Sequence, residues 1–423
     1  MRHATGLARA TQPATLSAMT PHTPEPGWRR TLWSMVAVQF LMSMAVTTMA
    51  PVIPLFLPQL GVADPAAIEL WAGVLNAANF LISALLAPVW GAVADRHGRK
   101  LMVIRASAGV GAVAGLMSLV GGPWQLLALT LLMGGFGGFS SAAVALVAGQ
   151  VPERRLGYAL GWLATAQMVG GLLGPIAGGG LADLAGSNRA VFVATAAIAA
   201  VALALALLLV REPPRPPGPA RPTSWGQRFG LLARTPGLPA LMAVLLMTQI
   251  GARSVVPVVT LFVAELTATA AALATLAGLA TSITGLGDII AAPFLGRRSD
   301  VIGYRRVLLI CLAGAAATTL PMALATTLTG FLALRFALGL FIGGILPTAN
   351  ALIGRSVPAA ERGLVLGTAA SASLFGAFAG PLLGGAVASA LGLRASFLAT
   401  AALFALTLAW VWRVVRDPLT ESG

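Results

Sequence analysis

Residues 170–179 read GGLLGPIAGG, with five glycines and one proline inside an otherwise apolar run. Two kinds of structure call for glycine at this density. A phosphate-binding loop needs a strand before the glycines and a helix opening after them. A membrane helix needs small residues where another backbone comes close. Gly170, Gly174 and Gly178 recur every four residues and so share one helix face. The apolar run around them, near 157–181, is long enough to cross a bilayer, and the Walker lysine is absent. The nucleotide reading is therefore set aside. Pro175 removes a backbone donor and bends a helix at that point. The stretch reads as a packing and bending element of a membrane helix.

The rest of the chain has the same character. Of 423 residues, 57% are hydrophobic and 9% charged, against about 25% charged in a soluble domain. The charges fall in short blocks. Between them lie apolar runs near 31–58, 69–92, 101–121, 124–149, 157–181, 189–210, 237–262, 270–295, 305–326, 328–353, 362–389 and 394–416. These runs are continuously apolar rather than alternating, so helices are expected and not a barrel. The fold class is an all-α membrane protein with twelve transmembrane helices.

The net charge of +14 is distributed by topology rather than gathered into a nucleic-acid-binding patch. With both termini placed in the cytoplasm, only Arg189 and Arg394 of the 27 Lys and Arg fall outside, and Arg253 and Arg335 fall within spans. All the others lie inside. This is the positive-inside bias of a multi-pass membrane protein, and it points to contact with lipid and not nucleic acid. The single Cys311 excludes an intrachain disulfide and reads as a packed thiol. His3, His22 and His97 are scattered, so no metal cluster and no cofactor is expected. No nucleophile–base set is visible, so no enzyme is indicated. Residues 1–27 lack an apolar core and read as a disordered cytoplasmic leader, with the first span as targeting signal.

Residues 211–236 interrupt the hydrophobic pattern, with six prolines from Pro213 to Pro222. They read as a cytoplasmic linker whose first part is extended. It separates six spans in 28–210 from six in 237–416, and 417–423 form a tail. The halves repeat each other at a displacement of 205 or 206 residues. Pro51 and Phe56 match Pro257 and Phe262, Pro88, Gly91 and Asp95 match Pro293, Gly296 and Asp300, and Pro152 matches Pro358. Gly170, Gly174, Pro175, Gly178 and Gly179 match Gly376, Gly380, Pro381, Gly384 and Gly385. Six spans per half keep the copies parallel, the repeat geometry of a transporter whose site lies between two rocking halves.

From about Trp28 to Arg416 these residues resemble the major facilitator superfamily. GAVADRHGRK at 91–100 resembles its loop motif between helices 2 and 3, with Gly91, Asp95, Arg96, Gly98, Arg99 and Lys100 all in place. A degraded second copy keeps Gly296, Asp300, Gly303, Arg305 and Arg306. GGLLGPIAGG resembles the helix-5 motif of drug:proton antiporters. APVIPLFLPQLG, WQLLAL, VPERRLGYALG and VVPVVTLFVAEL are similar to multidrug exporters of that branch. The resemblance implies two pseudo-symmetric six-helix bundles that alternate access. It also implies a gate in which Asp95 and Arg96 hold the outward-open state shut on the cytoplasmic side; the plain alternative is a loop charge that serves topology. One position departs from the pattern. The arginine common early in helix 4 of drug exporters is Thr130 here, and an arginine stands instead at its repeat position, Arg335. This weighs against coupling through helix 4 and keeps a passive facilitator open.

Three ionisable residues are read within spans: Arg253, Asp288 and Arg335. Each costs at least ~2.5 kcal/mol at the centre of a lone helix, so each needs a partner or water. Asp288 has Ser83 at its repeat position, so the carboxylate is not part of the shared scaffold. It reads as a proton site or as the structural partner of an arginine. Arg335 reads as a helix brace, as a captor of anionic substrate or, with Asp288, as part of proton coupling, and Arg253 as a brace or a cavity residue. Gln39, Asn76, Asn79, Gln167, Gln249 and Asn350 supply polar groups to a mostly apolar cavity, with Phe40, Trp162, Phe375 and Phe378 as walls. Met42, Met44 and Met49 either let it adapt or face lipid. The expected function is export of lipophilic small molecules by proton antiport, by a monomer in a bacterial inner membrane. The alternatives are an exporter of amphipathic organic anions, a passive facilitator, and a non-transporting scaffold or receptor.

Overall fold

The computed structural model describes residues 27–212, 238–267, 272–355, 357 and 362–415. The leader, nearly all of the linker and the tail read from the sequence lie outside the described residues. Among the described residues, twelve spans are long and apolar enough to cross a membrane. In chain order they are α1 (Trp28–Thr48), α2 (Pro65–His97), α3 (Arg99–Met117), α4a (Pro123–Gly135) with α4b (Phe139–Ala148), α5 (Leu156–Ala185) and α6 (Asn188–Leu209). The second set is α7a (Leu238–Ser254) with α7b (Val256–Leu266), α8 (Leu273–Ile302), α9 (Tyr304–Thr319), α10 (Leu328–Arg355), α11 (Arg362–Leu391) and α12 (Leu393–Val414). Local chemistry sets several ends. Asp64 caps α2 by accepting from Ala67 N at 3.1 Å, and Pro65 stands at the first helical position. Gly98 and Gly303, at φ 95° and 97°, make the sharp turns into α3 and α9.

Three spans differ from the continuous runs expected from hydropathy. The first helix stops at Thr48 and continues as short turns over Ile53–Phe56 and Leu57–Leu60. The seventh breaks at Val255, ahead of Pro257. The fourth breaks at Phe136–Gly138, where the sequence is GGFGG and helix propensity is low. A break in mid-membrane leaves carbonyls that lipid cannot satisfy. Ser83 Oγ donates to Gly134 O (3.0 Å), Trp90 Nε1 to Gly135 O (2.8 Å) and Arg105 Nη2 to Gly137 O (2.7 Å).

Each set of six spans encloses its own buried cluster, one drawn from Leu32 to Val210 and the other from Leu238 to Val415. Matching contacts recur in both. Thr48 and Thr195 share a hydroxyl hydrogen bond of 2.8 Å, as Ser254 and Thr400 do at 2.7 Å. Arg189 donates to the carbonyls of Ser118 and Val120, and Arg394 to those of Ala323 and Ala325. The two arginines on the sparsely charged face are thus repeat equivalents that staple helix ends.

The glycine motif has two faces. Gly170, Gly174 and Gly178 lie against the backbone of α1 at Phe40, Met44 and Thr48. Gly376, Gly380 and Gly384 lie likewise against Leu246, Ile250 and Ser254 of α7a. The next glycine of each copy turns to the opposite bundle: Gly179 meets Ala274 of α8, and Gly385 meets Glu69 and Gly73 of α2. Gly278 and Gly73 in turn meet the carbonyls of Pro175 and Pro381. We call the face where α1 begins and α12 ends the terminal face, and its opposite the far face. The close approaches between bundles lie in the far half. Toward the terminal face Gly157, Gly161 and Gly367 have open space around them. The bundles are therefore closed at the far face and parted toward the terminal face.

Candidate substrate and proton site

The break in α4 opens a cavity of about 300 Å³ inside the first bundle. Gln39, Ser43, Thr47, Asn79, Ser83, Ser140 and Gln167 line it, together with Met42, Met133, Phe136 and Phe139. Gln39 donates from Nε2 to Ser140 Oγ (3.0 Å) and Gln167 Oε1 (3.2 Å), and its own Oε1 is buried without a hydrogen-bond partner among the described residues. Ser43 Oγ donates to the Gln167 carbonyl at 2.7 Å. Among the described residues, no ionisable side chain lines this space. It offers hydrogen bonds and apolar contact without charge.

Of the cavity residues picked out from the sequence, the structure gathers Gln39, Asn79 and Gln167 in this space. Asn76 donates to Ala72 O of its own helix instead, at 3.1 Å. Phe40 lends its carbonyl to the Gly170 contact. Trp162 packs edge-on to Trp33 with ring centroids 5.0 Å apart. Gln249, Asn350, Phe375 and Phe378 belong to the other bundle. There the Phe375 and Phe378 rings pair at 5.9 Å, and Gln249 backs Gly376.

The charged residues sit mainly in the second bundle. Asp288 on α8 is half-buried against α10, where a Cβ added at Gly343 would stand 2.8 Å from its Oδ1. Among the described residues its carboxylate has no hydrogen bond and no ion pair within 4.0 Å. Arg253 on α7a is the cation whose field reaches it. The Arg253 guanidinium lies over the Phe80 ring of the opposite bundle, 5.2 Å from its centroid. Arg335 is 4% exposed and donates from Nε to the Ala280 carbonyl of α8 at 3.2 Å. At the repeat positions Ser83 lies against Gly137, as Asp288 does against Gly343, and Thr130 is buried with its hydroxyl on Leu126 O.

The loop-motif residues contact their own bundle in this state. Arg99 donates to the Ala145 carbonyl of α4b, and Lys100 Nζ to Leu207 O at 3.2 Å. The backbone N–H groups of Arg99 and Lys100 donate to the Glu212 carboxylate at 2.9 and 2.7 Å. Arg96 is exposed, and the Asp95 side chain lies outside the described residues. In the second copy Asp300 accepts from Tyr304 and from Arg355 (3.5 Å). Gly91 and Gly296 face open space, whereas Gly98 and Gly303 serve the turns.

One expectation needs correction. Arg253, Asp288 and Arg335 are not the only ionisable residues placed within spans, because Arg105 lies inside α3. Its guanidinium stacks 3.6 Å from the Trp90 ring centroid, and Nε and Nη1 are buried without hydrogen-bond partners among the described residues. Its place five residues beyond the loop motif, inside an apolar run, was the available signal. Glu212 and Asp183 also hold helix starts that sequence reading left unassigned, because their partners are distant in the chain.

Among the described residues, twelve membrane-length spans in two repeated bundles, with a polar cavity inside the first, define a membrane transporter of the secondary type rather than an enzyme. A family model described as Major Facilitator Superfamily matches residues 35–275 and 241–422, and the chain belongs to that superfamily. It is 34% identical over 396 residues to the multidrug resistance protein MdtG of Klebsiella pneumoniae (strain 342), covering 94% of this chain and 96% of the relative. It is 36% identical over 402 residues to MdtG of Yersinia enterocolitica, covering 95% and 97%. Among solved structures it resembles an inward-facing, occupied bacterial homologue of the human lysosomal transporter Spinster (TM-score 0.74, 18% identity, 94% and 99% covered). It is also similar in fold to the nucleoside transporter NupG D323A mutant (TM-score 0.74, 14% identity, 92% and 100% covered).

Proposed function

We propose that the protein exports lipophilic small molecules from the cytoplasm by alternating access, driven by proton antiport. The near-full-length similarity to multidrug resistance proteins supports the efflux reading. The observation that carries proton coupling is Asp288, an intramembrane carboxylate without a direct partner among the described residues. A carboxylate serving as the mate of an arginine would be paired, whereas a proton carrier must be free to change its occupancy. The uncharged cavity around Gln39 and Gln167 suits weakly specific recognition of neutral, lipophilic compounds. Residues 28–210 and 237–416 move as the two units, and the protomer works as a monomer. Asp95 and Arg96 close the terminal face in the opposite state. The deciding experiment is efflux from proteoliposomes with and without a proton gradient, using neutral, cationic and anionic compounds. Transport indifferent to the gradient would make the protein a passive facilitator.

Orientation follows from the charge bias, with termini and linker cytoplasmic. In a Cys311→Ser background, a membrane-impermeant thiol reagent applied to intact spheroplasts is expected to label Asp64→Cys and not Ser224→Cys. The reverse labelling would invert the protein and the direction of transport.

A second reading makes Arg335 the captor of an anionic substrate. Its burial and its bond to Ala280 favour a brace between α10 and α8. Arg335→Gln is therefore expected to reduce efflux of every compound class equally and to lower thermal stability by about 1–3 kcal/mol. Loss confined to anions, at unchanged stability, would assign Arg335 to the substrate.

A further inference from the structure

Helix α8 begins at Leu273 without a capping side chain of its own. Its first N–H groups are met from the other bundle. Asp183, near the far end of α5, accepts from Ala274 N (3.3 Å), Thr275 N (2.7 Å) and Thr275 Oγ1 (2.6 Å). This is an N-cap in chemistry, a carboxylate on free donors at the positive end of a helix. It differs from an ordinary cap in that cap and helix lie on different bundles.

The equivalent seam, between α2 and α11, is built otherwise. There α2 is capped by Asp64 from its own loop. The positions of α11 that correspond to Asp183 are Ala388 and Ser389. Glycine contacts seal both seams in the same way, but a charged hydrogen-bond set crosses only the α5–α8 seam among the described bonds. Parting the far face must break all three bonds to Asp183 and leave the start of α8 uncapped. Parting it costs Asp64 nothing.

We propose that Asp183 is the latch of the far face, biasing the resting protein toward the state open at the terminal face. The inference rests on the alternating-access reading above. An exporter gains from this bias, since it rests accessible to the compartment it empties. Asp183 does not line the cavity and bonds only the start of α8 among the described residues, so it is a positioning residue acting through that helix. That helix also carries Asp288, thirteen residues or roughly 20 Å further along. Release of the latch and the environment of the carboxylate are thereby joined by one rigid element.

The test uses the full chain in nanodiscs with Cys311→Ser. One pair of nitroxide labels replaces Leu119 and Leu324, both exposed at the far face, and a second pair replaces Arg154 and Val301 at the terminal face. Distances are read by electron–electron resonance. Asp183→Ala is expected to raise the ratio of far-face-open to far-face-closed protein about tenfold, with the terminal pair shortening in step. Thr275→Val, which removes one bond and keeps the charge, should give a smaller shift in the same direction. Asp64→Ala removes a cap of the same chemistry within one bundle and should lower stability without moving either distance.

Asp183→Ala that folds as the wild type does and leaves both distributions unchanged overturns the latch. A shift of equal size in Asp64→Ala also overturns it. Should Asp183→Ala fail to fold, Thr275→Val decides, and no shift there overturns the proposal. A wild type whose two distances never change in opposite senses, at any pH or with any substrate, would instead remove the alternating-access reading itself.

Discussion

Asp288→Asn is expected to keep substrate exchange and to lose uphill, pH-dependent efflux. The amide has the size and polarity of the protonated acid but cannot release a proton. Exchange without a gradient requires only that the site alternate, so it should survive. Uphill transport requires a group whose proton occupancy differs between the two faces. A proton crossing 100 mV supplies about 2.3 kcal/mol, enough to accumulate a neutral substrate roughly 50-fold. That entire factor is expected to vanish in the variant. The amide is isosteric with the carboxyl and fits the same half-buried position against Gly343, so folding should be intact. Counterflow and gradient-driven uptake in the same proteoliposomes measure both quantities. Wild-type concentrating power in the variant would make Asp288 structural and place coupling elsewhere.

Gly178→Ala is expected to destabilise the protein, and Gly161→Ala is not. The two glycines lie on the same helix seventeen residues apart. A methyl at Gly178 would collide with the Thr48 carbonyl of α1. That neighbour is backbone and cannot rotate away, so the helices must part along a face that also holds Gly170 and Gly174. Overpacking of this kind costs about 1–3 kcal/mol. A methyl at Gly161 meets nothing within 4 Å, and alanine favours the helix by up to about 1 kcal/mol. Thermal unfolding in detergent should show Gly178→Ala several degrees below the wild type and Gly161→Ala at or above it. Equal melting of the two would mean that the motif is not a packing element.

Much of this architecture follows from hydropathy alone, because a bilayer admits few solutions. A continuous apolar run of about 20 residues has to be a helix. Twelve runs in two repeated sets therefore specified the helix count and the parallel repeat before any contact was known. The glycine spacing of four likewise fixed a packing face. Helix breaks were harder to foresee. GGFGG at 134–138 is visible as a weak point, but hydropathy averages over it. The break persists because Ser83, Trp90 and Arg105, from two other helices, take up the freed carbonyls.

The sequence by itself determined the spans, their pairing across the two halves, the family and the residues able to carry charge in the membrane. Only the tertiary structure decided which of those residues meet. It separated Arg335, spent on a backbone carbonyl, from Asp288, left without a direct partner among the described residues, although both read as equally costly within their spans. It joined Gln39 to Gln167 across 128 residues of chain. It showed Asp183 capping a helix of the opposite bundle, and it showed which face is closed. Periodicity and spacing report what a helix does with its own neighbours, three or four residues away. A hydrogen bond between bundles depends on how two helices far apart in sequence are set side by side, and that is fixed by the packing of all twelve.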